Sequence, residues 1–199
     1  MKKFTLVAFL LVAFIAGTFA NGNGKSSHSV DASKSEVKWV GEKVTGKHEG
    51  GISVKEGSLE LKNGKLKGGS FIIDMTSITC TDLEGGTRDK LLGHLKSDDF
   101  FGVDNYKTST LTITKVTDKG SNKFEVKANL TIKGQTHPVT FQTTLTENGA
   151  EVSADATIKV DRTKYGIKYG SGSFFDNLGD KAIDNEFTLT VKLVGKKNA

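Results

Sequence analysis

"KFEVKANLTIKG" (residues 123–134) alternates apolar and polar side chains along most of its length. Every second residue of an extended chain faces the same way, so the apolar positions share one face and the polar positions share the other. This alternation is typical of an antiparallel strand with one dry face and one wet face. The same period of two recurs in "EVSADATIKV" (151–160) and "EFTLTVKLVG" (186–195). These segments predict a protein built mainly from antiparallel strands.

Further strands are predicted between clear turn signals, at residues 36–44, 47–54, 57–62, 66–75, 106–117 and 136–146. Asn-Gly pairs at 63–64 and 148–149 are strong hairpin signals. Eight or nine strands with short turns indicate either an antiparallel barrel or a sandwich. Small residues among the larger ones of the dry face (Ala128, Ala154 and Ala156) favour a barrel with a hollow interior. A sandwich whose sheets approach closely at these alanines is the alternative.

The N-terminus predicts export. Lys2 and Lys3 precede the apolar stretch "FTLVAFLLVAFIAG", and small residues at Thr18 and Ala20 suit a cleavage site. We assign residues 1–20 to a signal peptide, with cleavage after Ala20 and a periplasmic or secreted mature protein. An uncleaved anchor is the competing interpretation, but the apolar run is shorter than the ~20 residues of a spanning helix. We therefore expect no stable membrane span.

The mature chain is predicted to be a flexible leader at residues 21–29, which is rich in Gly and Ser and holds a solvated His28, and one barrel domain at residues 30–199. The formal net charge of the whole chain is only +5, and the positive residues are spread along it. We therefore expect no nucleic-acid partner. Cys80 is the single cysteine, so we predict a monomer with a free thiol.

One short amphipathic helix interrupts the strands, at residues 87–96, "TRDKLLGHLK", with Thr87 as the predicted N-cap. The residues that share its apolar face are Leu91, Leu92 and Leu95. Two phenylalanine pairs lie outside the regular strands: Phe100–Phe101 directly after the helix, and Phe174–Phe175 in a Gly-rich loop. A helix of this kind between strands usually closes a barrel end or packs across a sheet.

The sequence offers little support for catalysis. His48, His94 and His137 have no metal-ligand spacing such as HExxH, and no G-x-S-x-G motif occurs. An exported hydrolase-like enzyme that uses His48 or His94 is the alternative function, although a structural role suits both residues better because neither has a visible catalytic partner. Arg162 is expected to pair with Asp161 or another carboxylate, or to meet a polar head group at the barrel mouth.

Four short motifs stand out along the chain: "IDMTSI" (73–78), "HLKSDDFF" (94–101), "LTIKG" (130–134) and "DRTKYGI" (161–167). Together with the stretch at 38–61, these motifs resemble the YceI-like family. The resemblance implies an all-β fold, an extended eight-stranded antiparallel lipocalin-like barrel with a short helical insertion closing one end. It also implies a non-catalytic carrier, without a cofactor, that holds a long-chain isoprenoid, an isoprenoid quinone or a related amphiphilic lipid in its lumen.

The predicted ligand contacts combine the dry face, the two aromatic pairs and this resemblance. His94 and Arg162 are expected to lie nearer the polar end of the ligand. The full predicted set is Trp39, Ile72, His94, Leu95, Phe100, Phe101, Phe141, Arg162, Phe174 and Phe175.

Overall fold

The computed structural model describes residues 24–198, so the predicted signal peptide and its cleavage site lie outside the described part of the chain. The strands are β1 (Lys25–Val30), β2 (Glu36–Lys43), β3 (Gly46–Lys62), β4 (Lys65–Asp74), β5 (Thr108–Asp118), β6 (Lys123–Ile132), β7 (Gln135–Asn148), β8 (Glu151–Asp161) and β9 (Ile183–Lys197). One helix, α1, spans Gly85–Lys96. Short 3₁₀ turns lie at Met75–Ser77, Arg162–Tyr165 and Gly179–Lys181.

The strands form a closed antiparallel barrel. Each strand from β2 to β9 pairs with its neighbour in the chain, and the pairing of β2 with β9 closes the ring. β1 and β2 both pair with β3 and with β9, so they follow one another along the same position between these two strands. The nine strands therefore form an eight-stranded barrel wall. The predicted eight-stranded barrel is confirmed, and the sandwich is excluded.

The N-terminal segment corrects one prediction. Residues 25–29, assigned above to a flexible leader, belong to β1, where Ser27 lies opposite Glu60 and His28 opposite Leu59. His28 is 7% exposed rather than solvated. The composition of this strand is that of a loop, and backbone pairing with β3 and β9 on both sides orders it. Backbone hydrogen bonding of this kind carries no side-chain signature.

Two irregularities in β3 and β4 adjust the strand pattern. The predicted break at residues 55–57 is a shift in register within a single long strand, since Val54 lies opposite Ile73 and Glu56 opposite Ile72. A second shift comes near the start of β4, where Glu60 and Leu61 face Gly68 and Leu66, so that one residue of β4 is extra. A bulge of this type reverses which residues face the interior.

Helix α1 and the turn after it pack against one end of the barrel. Leu95 and Phe100 are buried in the cluster that also holds Trp39 and Ile158, and Leu91 and Leu92 pack against the same cluster. The helix begins two residues earlier than predicted, and its N-cap is Glu84 rather than Thr87. The predicted helical insertion at a barrel end is therefore present.

The connections between strands alternate between the two ends of the barrel. One end, here called the α1 end, carries α1 and the β2–β3, β6–β7 and β8–β9 connections. The other end carries the tight turns β3–β4, β5–β6 and β7–β8. Near these tight turns the interior is filled by side chains that are at most 3% exposed, namely Leu61, Phe124, Leu145 and Val152. This end is a closed core.

Candidate ligand-binding site

A cavity of about 200 Å³ runs along the inside of the barrel. Its deep part is lined by Leu59, Leu66, Val126 and Leu193. Toward the α1 end the lining is aromatic, with Trp39, Phe100, Phe101 and Phe187, and Phe141 lies deeper, opposite Val126. Ala154 and Ala156 face the same space, as the small residues of the dry face predicted, whereas Ala128 is buried outside the lining. The barrel interior is thus a mainly apolar tube.

The exposed lining residues mark where this tube reaches solvent. Glu42, Asp184 and Glu186 line the cavity and are exposed, and all three belong to the seam between β2 and β9. Gly41 lies opposite Phe187 but Lys43 lies opposite Ile183, so one residue of β2 faces three residues of β9. The extra residues interrupt the strand ladder at the α1 end. The opening therefore carries three carboxylates above an apolar interior.

Arg162 holds the wall beside this opening. Its side chain is buried, at 4% exposure, and donates three hydrogen bonds to backbone carbonyls: Nε to Asp184 at 2.9 Å, Nη1 to Ile167 at 2.9 Å and Nη2 to Ile183 at 3.0 Å. Burial lowers the pKa of the guanidinium, and the charges of Asp161 and Asp184 oppose that shift. Arg162 therefore fixes the bulged start of β9 against the loop that follows β8.

The predicted carboxylate partner of Arg162 is wrong. Asp161 instead accepts hydrogen bonds from the backbone nitrogen and the hydroxyl of Thr163, at 3.0 and 2.6 Å, and so caps the 3₁₀ turn. Among the described residues no carboxylate lies within ion-pair distance of the guanidinium. Because the Nε, Nη1 and Nη2 atoms each donate to a carbonyl, the main task of Arg162 is to position backbone.

The structure brings six of the ten predicted contact residues to the cavity wall: Trp39, Leu95, Phe100, Phe101, Phe141 and Arg162. Ile72 is not among the lining residues, because the bulge in β4 turns Phe71 and Ile73 inward instead. Phe174 and Phe175 lie outside the cavity and are 47% and 51% exposed. Backbone geometry therefore keeps these three residues away from the cavity wall, and their contact with a ligand stays a prediction.

His94, on α1, is partly exposed and is not among the residues that line the cavity. Its ring packs edge-on against Phe100, with centroids 4.8 Å apart, and against Tyr169, at 4.5 Å. Its Nε2 lies 3.2 Å from Asp99 Oδ2. His94 therefore packs against Phe100, a cavity residue, and is not itself among the lining residues; its contact with the ligand stays a prediction.

The predicted contacts left out several lining residues, among them the acidic residues at the opening and a buried serine. The acidic rim of Glu42, Asp184 and Glu186 follows from the register shift between β2 and β9, which has no local sequence signal. Ser109 also lines the cavity at 5% exposure, and its hydroxyl has no hydrogen-bond partner within residues 24–198. Alternation along β5 would have placed it inward, with Leu111 and Ile113.

Comparison with known proteins agrees with this geometry. A family model described as a YceI-like domain matches residues 28–195. The chain belongs to the YceI-like family. The resemblance of its motifs is thereby confirmed.

Relatives of this YceI-like chain include a UPF0312 protein of Vibrio cholerae, 31% identical over 102 residues, which are 48% of this chain and 52% of that protein. A UPF0312 protein of Staphylococcus epidermidis is 34% identical over 114 residues, 49% of this chain and 61% of that protein. The chain thus spans about half the length of the first of these relatives.

Solved structures share the barrel. Burkholderia cenocepacia BcnA has a TM-score of 0.67 and 25% identity, and the match covers 83% of this YceI-like chain and 98% of BcnA. A polyisoprenoid binding domain from Saccharophagus degradans, implicated in plant cell wall breakdown, has a TM-score of 0.63 at 15% identity, covering 88% and 99%. The second match shows the fold alone.

A cluster around Asp82 lies outside the cavity of this YceI-like barrel. Asp82 accepts hydrogen bonds from the backbone nitrogen of Glu49 at 2.9 Å and from the Cys80 thiol at 3.2 Å, and lies 2.8 Å from His48 Nδ1. The carboxylate stands between the thiol and the imidazole, so these two do not form a nucleophile–base pair. Burial and the hydrogen bond to Asp82 raise the pKa of Cys80. The cluster fastens the β4–α1 connection to β3.

Substituting Asp82 by Asn is expected to cost about 2 kcal/mol of stability at neutral pH. Burial works to raise the pKa of Asp82, but the hydrogen bonds from Glu49, His48 and Cys80 bring it down to about 2. A carboxyl with a lowered folded pKa stabilises the protein above its ordinary pKa of 3.8 and loses that contribution as the pH falls through 2.

Denaturant unfolding between pH 7 and pH 2 measures this difference. The difference in the free energy of unfolding between wild type and Asp82→Asn should be constant from pH 7 to about 5 and should become smaller toward pH 2. Asp89→Asn is the control, because Asp89 is exposed and its side chain is bonded only to Arg88 at 3.3 Å. A difference that stays constant down to pH 2 would contradict the role given to the Asp82 carboxylate.

Within residues 24–198, none of the helices has the length and apolar character that crossing a membrane requires.

Proposed function

We propose that this protein is a non-catalytic carrier that holds one long-chain isoprenoid, isoprenoid quinone or related amphiphilic lipid in the barrel cavity. The observation that carries this proposal is the cavity itself, an apolar tube that is closed at one end by Phe124 and Leu145 and open at the other between β2 and β9. The name of the Saccharophagus structure, a polyisoprenoid binding domain, supports the same class of ligand.

Burial of an apolar chain supplies enough free energy for this function. Each buried CH₂ group contributes about 0.8 kcal/mol. A segment of ten carbons inside the tube would gain roughly 8 kcal/mol before the costs of ordering the ligand are subtracted. The lining needs no reactive group for binding, and neither His48 nor His94 belongs to it. We therefore propose binding without catalysis.

We propose that the ligand lies with its tail toward Leu66 and Leu193 and its polar head at the opening. Glu42, Asp184 and Glu186 surround that opening, and like charges repel anionic head groups. Three of the five N–H donors of Arg162 are already bonded to carbonyls, so the guanidinium offers only a partial compensating anion site. The rim thus favours an uncharged head, such as that of a quinone or an alcohol, over a phosphate.

Mass spectrometry of native protein tests this proposal. The protein is purified from its own host without detergent, and an organic extract is compared with an extract of the buffer from the same column fractions. We expect a lipid-soluble molecule with a long apolar chain, close to one per protein. An extract that matches the buffer, together with no binding of added isoprenoid alcohol by the purified protein, would overturn the carrier function.

Export is proposed from the charged and apolar N-terminal stretch alone. The intact mass of the same native preparation is expected to correspond to a chain that begins at Asn21, with localisation in the periplasm or outside the cell. A mature mass that includes Met1 would contradict cleavage after Ala20.

A further inference from the structure

The exposed large apolar side chains of residues 24–198 all lie at the α1 end of the barrel. Five residues of this kind are exposed: Val44 at 65%, Tyr106 at 38%, Tyr169 at 46%, Phe174 at 47% and Phe175 at 51%. Val44 is in the β2–β3 connection, Tyr106 lies between α1 and β5, and the other three are in the β8–β9 loop. We call these five residues the apolar rim.

The opposite end of the barrel lacks such residues in the described part of the chain. Its tight turns consist of Asn63–Gly64, residues 119–122 and Gly149–Ala150, with small and polar side chains. Single exposed apolar residues are normal on protein surfaces and need no explanation. Because five exposed apolar residues lie at one end and none among the described residues lies at the other, the two ends of the barrel differ in surface character.

The apolar rim adjoins the opening of the cavity. The backbone nitrogen of Val44 donates to the carbonyl of Ala182 at 3.2 Å, and that of Ile183, a lining residue, donates to the carbonyl of Gly170 at 2.8 Å. The ring of Tyr169 packs against that of Phe100, another lining residue, with the ring centroids 5.6 Å apart. The rim and the cavity therefore meet at the start of β9.

The loop that carries Phe174 and Phe175 is held in place and still presents both rings to solvent. Ser171 is fully buried, and its carbonyl accepts hydrogen bonds from the backbone nitrogens of both phenylalanines at 3.0 Å. Its hydroxyl donates a hydrogen bond to Asn185 Oδ1 at 2.6 Å. Asn185 in turn donates to the hydroxyl of Ser173 at 2.8 Å. Because the loop is fastened to β9, the exposure of the rings is not a consequence of a loose segment.

We propose that the α1 end docks on the surface of a lipid bilayer, with the apolar rim buried in the interfacial region. Aromatic side chains beside lysines are typical of such surfaces, and Lys168 Nζ lies 4.6 Å from the centroid of the Phe174 ring. This proposal rests on the proposed carrier function. A ligand that is insoluble in water comes from a bilayer, and docking here lets it pass between bilayer and cavity without crossing water.

Sedimentation with vesicles tests the proposal. The mature protein is mixed with vesicles of phosphatidylethanolamine and phosphatidylcholine, whose head groups carry no net charge for Glu42, Asp184 and Glu186 to repel, and the bound fraction is compared with that of Phe174→Ser/Phe175→Ser. We expect the wild type to bind and the double variant to bind at least tenfold more weakly, because two half-exposed rings no longer leave water. Lys62→Ser/Lys123→Ser, which removes two exposed side chains near the opposite end, is the control and should leave binding within twofold.

Binding of farnesol in solution separates the two proposals. The double phenylalanine variant should bind farnesol like the wild type, because neither ring lines the cavity. A wild type that binds vesicles but not farnesol would remove the carrier function and leave the docking surface. Docking is overturned if the wild type ignores vesicles, if the double variant binds them equally well, or if sedimentation shows a dimer that the same variant dissociates.

Discussion

Replacing Ala156 by Phe is expected to weaken ligand binding at least tenfold while the protein without ligand stays folded. Ala156 lines the cavity on β8, between Thr143 on β7 and Val191 on β9. A phenyl ring at this position would project into the tube and occupy space that the apolar chain of the ligand needs. Because the ring would extend into a cavity rather than into a packed core, it should cost less than ~1 kcal/mol of stability.

Ala128 provides the matched control for this substitution. It is also an alanine of the dry face, but it is 1% exposed and packed outside the cavity lining, between Val126 and Leu130 along β6. Ala128→Phe would force a ring into a filled core, at a cost of about 1–3 kcal/mol. For a domain of this size that cost corresponds to a fall in the melting temperature of roughly 2–12 °C.

The measurements are thermal unfolding of lipid-free protein and titration with farnesol. Ala156→Phe should melt close to the wild type and bind weakly, whereas Ala128→Phe should melt lower and retain binding in the folded fraction. The cavity assignment is wrong if Ala156→Phe is the less stable of the two and its folded fraction binds farnesol normally.

The barrel was predictable because its signal is local. Alternation along β6, β8 and β9 places Val126, Ala154, Leu189 and their neighbours on one face wherever the strands pair, so a dry interior follows from the order of residues alone. The polarity of helix α1 was similarly visible, with Leu95 correctly assigned to the interior. A pattern that is complete within about ten residues can be recognised without knowing which distant strands pair with it.

The errors share a non-local cause. Ile72 was placed inward because the alternation of β4 was extended through a bulge that depends on pairing with β3. β1 was missed because its order comes from hydrogen bonds to β3 and β9, while its side chains resemble those of a loop. Phe174 and Phe175 were taken for cavity residues because an apolar side chain in a sequence does not tell which side of a loop it occupies.

The acidic rim shows the same limit at the functional site. Glu42 and Glu186 are ordinary polar positions within their own strands, and only the unequal pairing of β2 with β9 brings them to one opening. The charge around the opening of the cavity is therefore determined by the register of β2 with β9. Prediction of head-group preference from sequence would need the position of this bulge.

Arg162→Met is expected to destabilise the protein by about 2–4 kcal/mol. Methionine keeps most of the apolar volume but removes the donors to Ile167, Ile183 and Asp184. A buried carbonyl without a donor costs about 1–3 kcal/mol, which is only partly offset by no longer burying a cation. Water can reach the carbonyls near the opening, so the total loss of stability should be smaller than the sum for three fully buried carbonyls without donors.

Lys164→Met is the matched control for Arg162→Met, because Lys164 belongs to the same 3₁₀ turn and is exposed. Its effect on the free energy of unfolding should stay within about 0.5 kcal/mol. Arg162→Lys tests the geometry separately: it keeps the positive charge, but one ammonium group cannot reproduce a planar fork that reaches three carbonyls. We expect its stability to lie between those of the wild type and Arg162→Met in urea unfolding.

The order of the three variants distinguishes charge from geometry at this position. If Arg162 acts as an anchor for the bulge of β9, then Arg162→Lys should recover only part of the lost stability. In Arg162→Met, the backbone amides near Ile167 and Ile183 should exchange faster first, because these segments are no longer held through their carbonyls. If the positive charge alone were required beside Asp161 and Asp184, Lys would restore full stability. Wild-type stability in Arg162→Met would contradict both and would make the three hydrogen bonds incidental to the fold.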